Sequence, residues 1–133
     1  MISAVLADTG PLYAALDRDD AYHQRARRDL KKLAREKRNV IVACPVLLEA
    51  HRLVLRRLGA ETASVWLDDV LKTGSLTNPI LEDYLEGVRR LSALPDQSIT
   101  LFDAALAAVA ARLKMEIWTY DHHFDLMRAR VWR

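Results

Sequence analysis

Short apolar runs alternate along this chain with stretches in which apolar residues recur every three or four positions. Ile2-Ser3-Ala4-Val5-Leu6-Ala7 is apolar, partly β-branched and closed by Asp8, the pattern of a buried strand. Pro11 suits a first helical turn, and Leu12 to Leu16 continue it. A second helix is expected from near Asp20. Tyr22, Ala26, Leu30, Leu33 and Ala34 mark its apolar face, and Arg25, Arg28, Lys32 and Arg35 form a separate basic stripe. Val40-Ile41-Val42-Ala43 repeats the strand pattern. Pro45 then opens a helix that turns Val46, Leu47, Ala50, Leu53, Val54 and Leu58 inward, with Gly59 as its cap. Further helices are expected over Ala60 to Leu71 and Pro79 to Leu94, with a turn or short edge strand between them over Gly74 to Asn78. An Ala-rich helix, Leu101 to Leu113, follows Thr100. Glu116 to Thr119 is a third strand, His122 to Leu126 a turn of helix, and Val131-Trp132 a last short strand. This alternation predicts one α/β domain, 1–133, with a short, mostly parallel central sheet surrounded by helices and helix dominant. In such sheets ligands bind at the C-terminal edge of the strands.

Composition narrows the class. The chain has 133 residues, 51% hydrophobic and 29% charged, which argues against disorder, collagen-like repeats and coiled coil. The opening apolar run is far shorter than the roughly twenty residues of a membrane span and lacks the basic start of a signal peptide, so a cytoplasmic place is expected. The single cysteine, Cys44, excludes a disulfide framework or a cysteine zinc site within one chain and reads as a small buried thiol. The net charge of +2 hides a local excess: Arg25 to Arg38 holds eight Lys or Arg against Asp29 and Glu36. Such a run is either a solvated helix face or a surface that neutralises phosphates.

Four acids stand at strand exits or in early helical turns. Asp8 follows the first strand, Glu49 lies one turn into the helix after the second, Asp103 opens the Ala-rich helix, and Asp121 follows the third strand. Each has a plain structural use. Asp8 suits an Asx-turn, Glu49 a pair with Arg52, Asp103 a capping box with Thr100, and Asp121 a cap for the following helix. Together, on one edge of a parallel sheet, four carboxylates repel, and a divalent cation removes the conflict. Oxygen-only ligation suits Mg²⁺ or Mn²⁺ rather than zinc.

These residues carry a family resemblance. Asp8-Thr9-Gly10-Pro11-Leu12 resembles the opening motif of PIN domains, and Pro45-Val46-Leu47-Leu48-Glu49 their second acidic motif. Thr100-Leu101-Phe102-Asp103-Ala104-Ala105 is similar to the third, and Thr119-Tyr120-Asp121-His122-His123-Phe124 to the fourth. Asp19 to Ala26 is similar to the family's second-helix entry. The order and intervals match along the whole chain, and the length resembles that of VapC-type toxins of toxin–antitoxin pairs. The resemblance implies a metal-dependent endoribonuclease that leaves a 5′-phosphate and a 3′-hydroxyl. Asp8, Glu49, Asp103 and Asp121 would form its acidic Mg²⁺ or Mn²⁺ site, with Thr9 and Thr100 in support. Asp96 is a weaker extra acid, more suited to a turn. The implied partners are RNA and an antitoxin protein.

Other residues fit around this reading. Arg25, Arg28, Lys32, Arg52 and Arg56 are the basic candidates for RNA contact. His23, His51, His122 and His123 match no usual zinc spacing and are expected at the surface or in hydrogen bonds. Trp66, Trp118 and Trp132 are expected in the core rather than under bases. The apolar faces of the helices over 60–71 and 79–94 exceed what one small core covers, which suits a homodimer or an antitoxin groove. A haloacid-dehalogenase motif would need an acid where Gly10 stands, and a receiver domain a phosphoacceptor where Ala43-Cys44-Pro45 stands. A non-catalytic PIN-like binding module and a DNase remain as alternatives.

Overall fold

The computed structural model describes residues 3–73 and 75–133, so Ile2 and Gly74, assigned above to the first strand and a turn, lie outside the described residues. Among the described residues four strands form one parallel sheet. They are β1 (Ala4–Ala7), β2 (Asn39–Ala43), β3 (Leu76–Thr77) and β4 (Glu116–Trp118), in the order β3-β2-β1-β4. β1 is central, with Leu6 in register with both Ile41 and Ile117. The helices are α1 (Thr9–Ala14), α2 (His23–Arg35), α3 (Cys44–Leu58), α4 (Ala60–Thr73), α5 (Leu81–Ser92), α6 (Leu101–Leu113) and α7 (His123–Leu126).

Alternation along β1 divides the core. Leu6 faces one side, where it clusters with Val46 of α3, Val109 of α6, Ile117 and Phe124 of α7. Val5 and Ala7 face the other, with Ala26 and Leu33 of α2, Trp118 and Trp132. The sheet is thus covered by helices on both faces, as its continuous apolar strands require. All three tryptophans are buried.

Several boundaries differ from expectation for identifiable reasons. α1 begins at Thr9, ahead of Pro11, because the Asp8 carboxylate accepts the Thr9 N–H. α2 begins at His23 and not near Asp20. Asp17 accepts the Asp19 N–H at 2.9 Å and Asp20 the Tyr22 N–H at 2.8 Å, holding that segment in turns. Tyr22 and Ala34 are therefore exposed, and the buried stripe of α2 is Ala26, Leu33 and part of Leu30. α5 starts at Leu81, after an extended Ile80 whose N–H donates to Asp83. Val131 makes only an isolated parallel bridge to Ile117. Cys44 is half-buried at the start of α3, not fully enclosed. Gly59 ends α3 at φ +92°, a backbone conformation that favours glycine.

Candidate active site

Asp8 is fixed by the sheet itself. Its N–H donates to the Trp118 carbonyl at 2.9 Å, extending the β1–β4 ladder by one bond. One carboxylate oxygen accepts the Thr9 N–H at 2.8 Å and the other the Thr119 hydroxyl at 2.8 Å. The Thr119 oxygen accepts in turn from the Asp121 N–H at 3.0 Å. One hydroxyl thus ties together two acids that leave adjacent strands. Thr9 reaches the other way, and its hydroxyl donates to Glu49 Oε2 at 3.2 Å. No ion pair joins Glu49 to Arg52 among the described residues.

Thr100 caps α6 by accepting the Asp103 N–H at 3.1 Å. Only this half of the expected capping box forms, which leaves the Asp103 carboxylate uncommitted to the backbone. Asp121 Oδ1 accepts the His123 N–H at 2.9 Å in a turn ahead of the last short helix, whose cap position is taken by His122 and not by Asp121 as expected, and its second oxygen stays free of that bond.

The four acids line one cavity of about 1120 Å³ at the C-terminal edge of the sheet, together with Thr9, Thr100, Arg52 and Arg57. Their charges act on one another. Burial raises the Asp8 carboxyl above its ordinary value despite the hydrogen bonds from Thr119 and Thr9, and Asp121 and Glu49 add to the rise. Asp103 is pushed up to about 6, first by burial and then by the charges of Asp8 and Asp121. Asp96, by contrast, is exposed in a turn away from the cavity lining.

The sequence assigns no histidine a ligand role here, and His51, the one near Glu49 in sequence, is not part of the cavity lining. His123 Nδ1 lies 3.4 Å from Asp121 Oδ1 and 3.9 Å from Asp103 Oδ2. His122 Nδ1 lies 3.8 Å from Asp121 Oδ1. Asp121, His122 and His123 each offer a donor atom within 4.8 Å of the others. Thr119 was likewise missed as a support, although its position in the fourth motif was the available signal. His23 bonds no acid among the described residues; its Nδ1 sits 2.7 Å from the Ala14 carbonyl.

The basic candidates separate. Arg52 lines the cavity, and Arg57, not foreseen, joins it. Arg25 packs 4.2 Å from the ring centroid of Tyr120, which lines the same cavity. Lys32 pairs with Glu36 at 4.0 Å and lies over Trp132. Arg28 and Arg56 are exposed outside the lining.

The donor set suits a hard divalent cation. Carboxylate oxygens predominate, two of them are raised by burial and by like charge, and no Lys or Arg pairs with Asp8 or Asp103 among the described residues.

The family model described as PIN domain matches residues 5–129. No curated protein sequence matches. Three solved structures share the fold along nearly their whole length. Mycobacterium tuberculosis VapC20, a Sarcin-Ricin loop cleaving toxin, superposes with a TM-score of 0.81 at 22% identity, covering 97% of this chain and 98% of that one. FitAcB from Neisseria gonorrhoeae superposes at 0.74 and 19%, covering 97% and 96%. VapBC2 from Rickettsia felis, bound to a DNA fragment from their promoter, superposes at 0.74 and 15%, covering 98% and 97%.

Proposed function

The chain belongs to the PIN domain family, and from that premise we propose that it is a metal-dependent endoribonuclease, the toxin of a toxin–antitoxin pair. The observation that carries the reading is the meeting of Asp8, Glu49, Asp103 and Asp121 in one cavity, with Asp8 and Asp103 both raised by burial and mutual repulsion. The likeness to a Sarcin-Ricin loop cleaving toxin supports RNA as the substrate class.

Asp8 and Asp103 would hold a divalent cation, with Glu49 and Asp121 acting directly or through water. When bound, Mg²⁺ or Mn²⁺ supplies positive charge against the phosphodiester and lowers the pKa of a coordinated water. The imidazoles of His122 and His123 would offer nitrogen donors beside the oxygens, which Mn²⁺ accepts more readily than Mg²⁺. Thr119 and Thr9 orient the acids. Arg52 and Arg57 provide positive charge at the cavity wall for a flanking phosphate. Hydrolysis in this arrangement needs no Ser, Cys or His nucleophile, and it leaves a 5′-phosphate and a 3′-hydroxyl.

The likeness to VapBC2 and FitAcB supports an antitoxin protein as partner. α5 exposes Leu81, Tyr84, Leu85 and Val88 at helical spacing, the face we assign to a homodimer. Val65 and Leu71 of α4 and Leu55 of α3 remain for the antitoxin. No helix among the described residues is long and apolar enough to cross a membrane, and a cytoplasmic place belongs to the same proposal.

RNA cleavage compared in Mg²⁺, in Mn²⁺ and in chelator, for the wild type, Asp8→Asn and Asp103→Asn, tests the reading. Cleavage confined to the wild type with metal is expected. Undiminished cleavage in chelator, or in both variants, overturns it. Sedimentation of the free protein tests the dimer, and Val88→Asp is expected to yield monomer.

A further inference from the structure

We infer that Tyr22 and Tyr120 form an aromatic shelf at the rim of the carboxylate cavity, on which an unpaired nucleobase of the RNA stacks. The inference rests on the nuclease reading above and specifies its substrate as single-stranded beside the cut.

Tyr120 immediately precedes Asp121 at the exit of β4. Its hydroxyl donates to Asp29 Oδ2 at 2.7 Å, and Trp118 Nε1 donates to the same oxygen at 3.1 Å. Asp29 belongs to α2, so the ring is clamped between sheet and helix. Tyr22 packs against Tyr120 with centroids 5.1 Å apart and planes inclined by 32°. The Arg25 guanidinium lies 4.2 Å from the Tyr120 centroid. Tyr120 is thereby half-buried between a ring and a cation, whereas Tyr22 stays 48% exposed. Both rings line the cavity that holds the four acids.

A tyrosine left half in water at the mouth of an acidic cavity contributes little to the core, and its backbone is held there by the Asp20 carboxylate. What it offers is a preset π-surface backed by the Tyr120 ring, which itself carries the Arg25 guanidinium. Every base has a π-face, so stacking tolerates any sequence. Bases within an A-form duplex are already stacked and bring no free face to such a shelf, which selects loops and single strands.

The test uses a short single-stranded RNA of mixed sequence carrying 2-aminopurine, bound to full-length protein in the Asp103→Asn background to hold cleavage off. Quenching of 2-aminopurine is expected there and with Tyr22→Phe. With Tyr22→Ala it is expected to disappear and the dissociation constant to rise about tenfold. A duplex of the same sequence, its bases already stacked, is expected to show no further quenching when protein is added. Equal affinity and quenching in Tyr22→Ala overturn the shelf, as does equal loss in Phe and Ala, which would mean a hydroxyl contact. Weakened antitoxin binding with unchanged RNA binding also overturns it. Mn²⁺-dependent cleavage by the wild type, run in parallel, reports the nuclease reading separately: cleavage without quenching sinks the shelf alone.

Discussion

The Thr119 hydroxyl donates to Asp8 Oδ2 at 2.8 Å across 111 residues of sequence, and Thr119 Oγ1 accepts the Asp121 N–H. Two candidate ligands from different strands are positioned by one buried atom. Thr119→Val keeps the shape and removes both bonds. The fold is expected to survive, while metal affinity and cleavage each fall roughly 10–100-fold, the usual cost of losing a partner that orients a ligand. Metal titration followed by melting temperature, alongside RNA cleavage, checks this. Unchanged metal affinity would leave Thr119 with a purely structural role.

The acids stabilise a bound cation and destabilise the protein without one. Asp103 titrates near 6 in the fold against an ordinary value of 3.8. Between about pH 4 and 6 the native state therefore holds more protons than the unfolded chain, and stability falls as pH rises through that window. Asp8, also raised, acts with the same sign. The metal-free protein is expected to melt higher at pH 5 than at pH 7. Asp103→Asn is expected to raise the pH 7 melting temperature by roughly 3–5 °C for each kcal/mol of repulsion relieved, while abolishing cleavage. Metal should raise the wild type's melting temperature at pH 7, and only weakly that of Asp103→Asn. Thermal unfolding in chelator at the two pH values reads the sign directly.

Much of this geometry was legible in the chain. Val5-Leu6-Ala7, Val40 to Ala43 and Ile117-Trp118 are apolar enough to be buried on both faces, so a parallel sheet under helices followed. The acids after those strands then had to share an edge. Turn chemistry was less visible: Asp17 and Asp20 capture backbone amides and delay α2, a side-chain competition that periodicity does not register. Tyr22 looked like a core position because its spacing from Ala26 is helical, yet it stands before the helix and faces solvent. His123 was illegible for another reason. Its place depends on how α7 folds back beside the first turn of α6, a tertiary relation with no local signal.

The basic residues divide by position, and so should their effects on RNA binding. Arg52 and Arg57 line the cavity, whereas Arg28 and Arg56 are exposed outside it. Replacing Arg52 and Arg57 by Gln is expected to weaken RNA binding and to lower the slope of log affinity against log salt by about 1 for each phosphate no longer neutralised. The same change at Arg28 and Arg56 is expected to leave the slope nearly unaltered. Binding isotherms at several salt concentrations distinguish the two pairs. Equal slopes for both would make the attraction diffuse electrostatics rather than a defined phosphate site.

Gly87 sets how closely α5 lies on α6, the helix that presents Asp103. A Cβ built at residue 87 would meet the Ala105 nitrogen at 3.0 Å, Leu101 Cδ1 at 3.2 Å and the Ala104 carbonyl carbon at 3.3 Å. Two of these atoms are backbone and cannot rotate away. α5 cannot slide either, because Asp83 accepts two hydrogen bonds from Arg112 of α6, at 2.9 and 2.8 Å. Arg112 in turn holds the Asp83 carboxyl below its usual range. Gly87→Ala must push the helices apart against that clamp. The gain in helix propensity, about 1 kcal/mol, opposes an overpacking cost of about 1–3 kcal/mol. A lower melting temperature is expected, with reduced cleavage if the first turn of α6 shifts. Gly87→Ser should behave alike. A melting temperature that rises in Gly87→Ala would mean that the helix interface yields, and the close approach would then carry no constraint on Asp103.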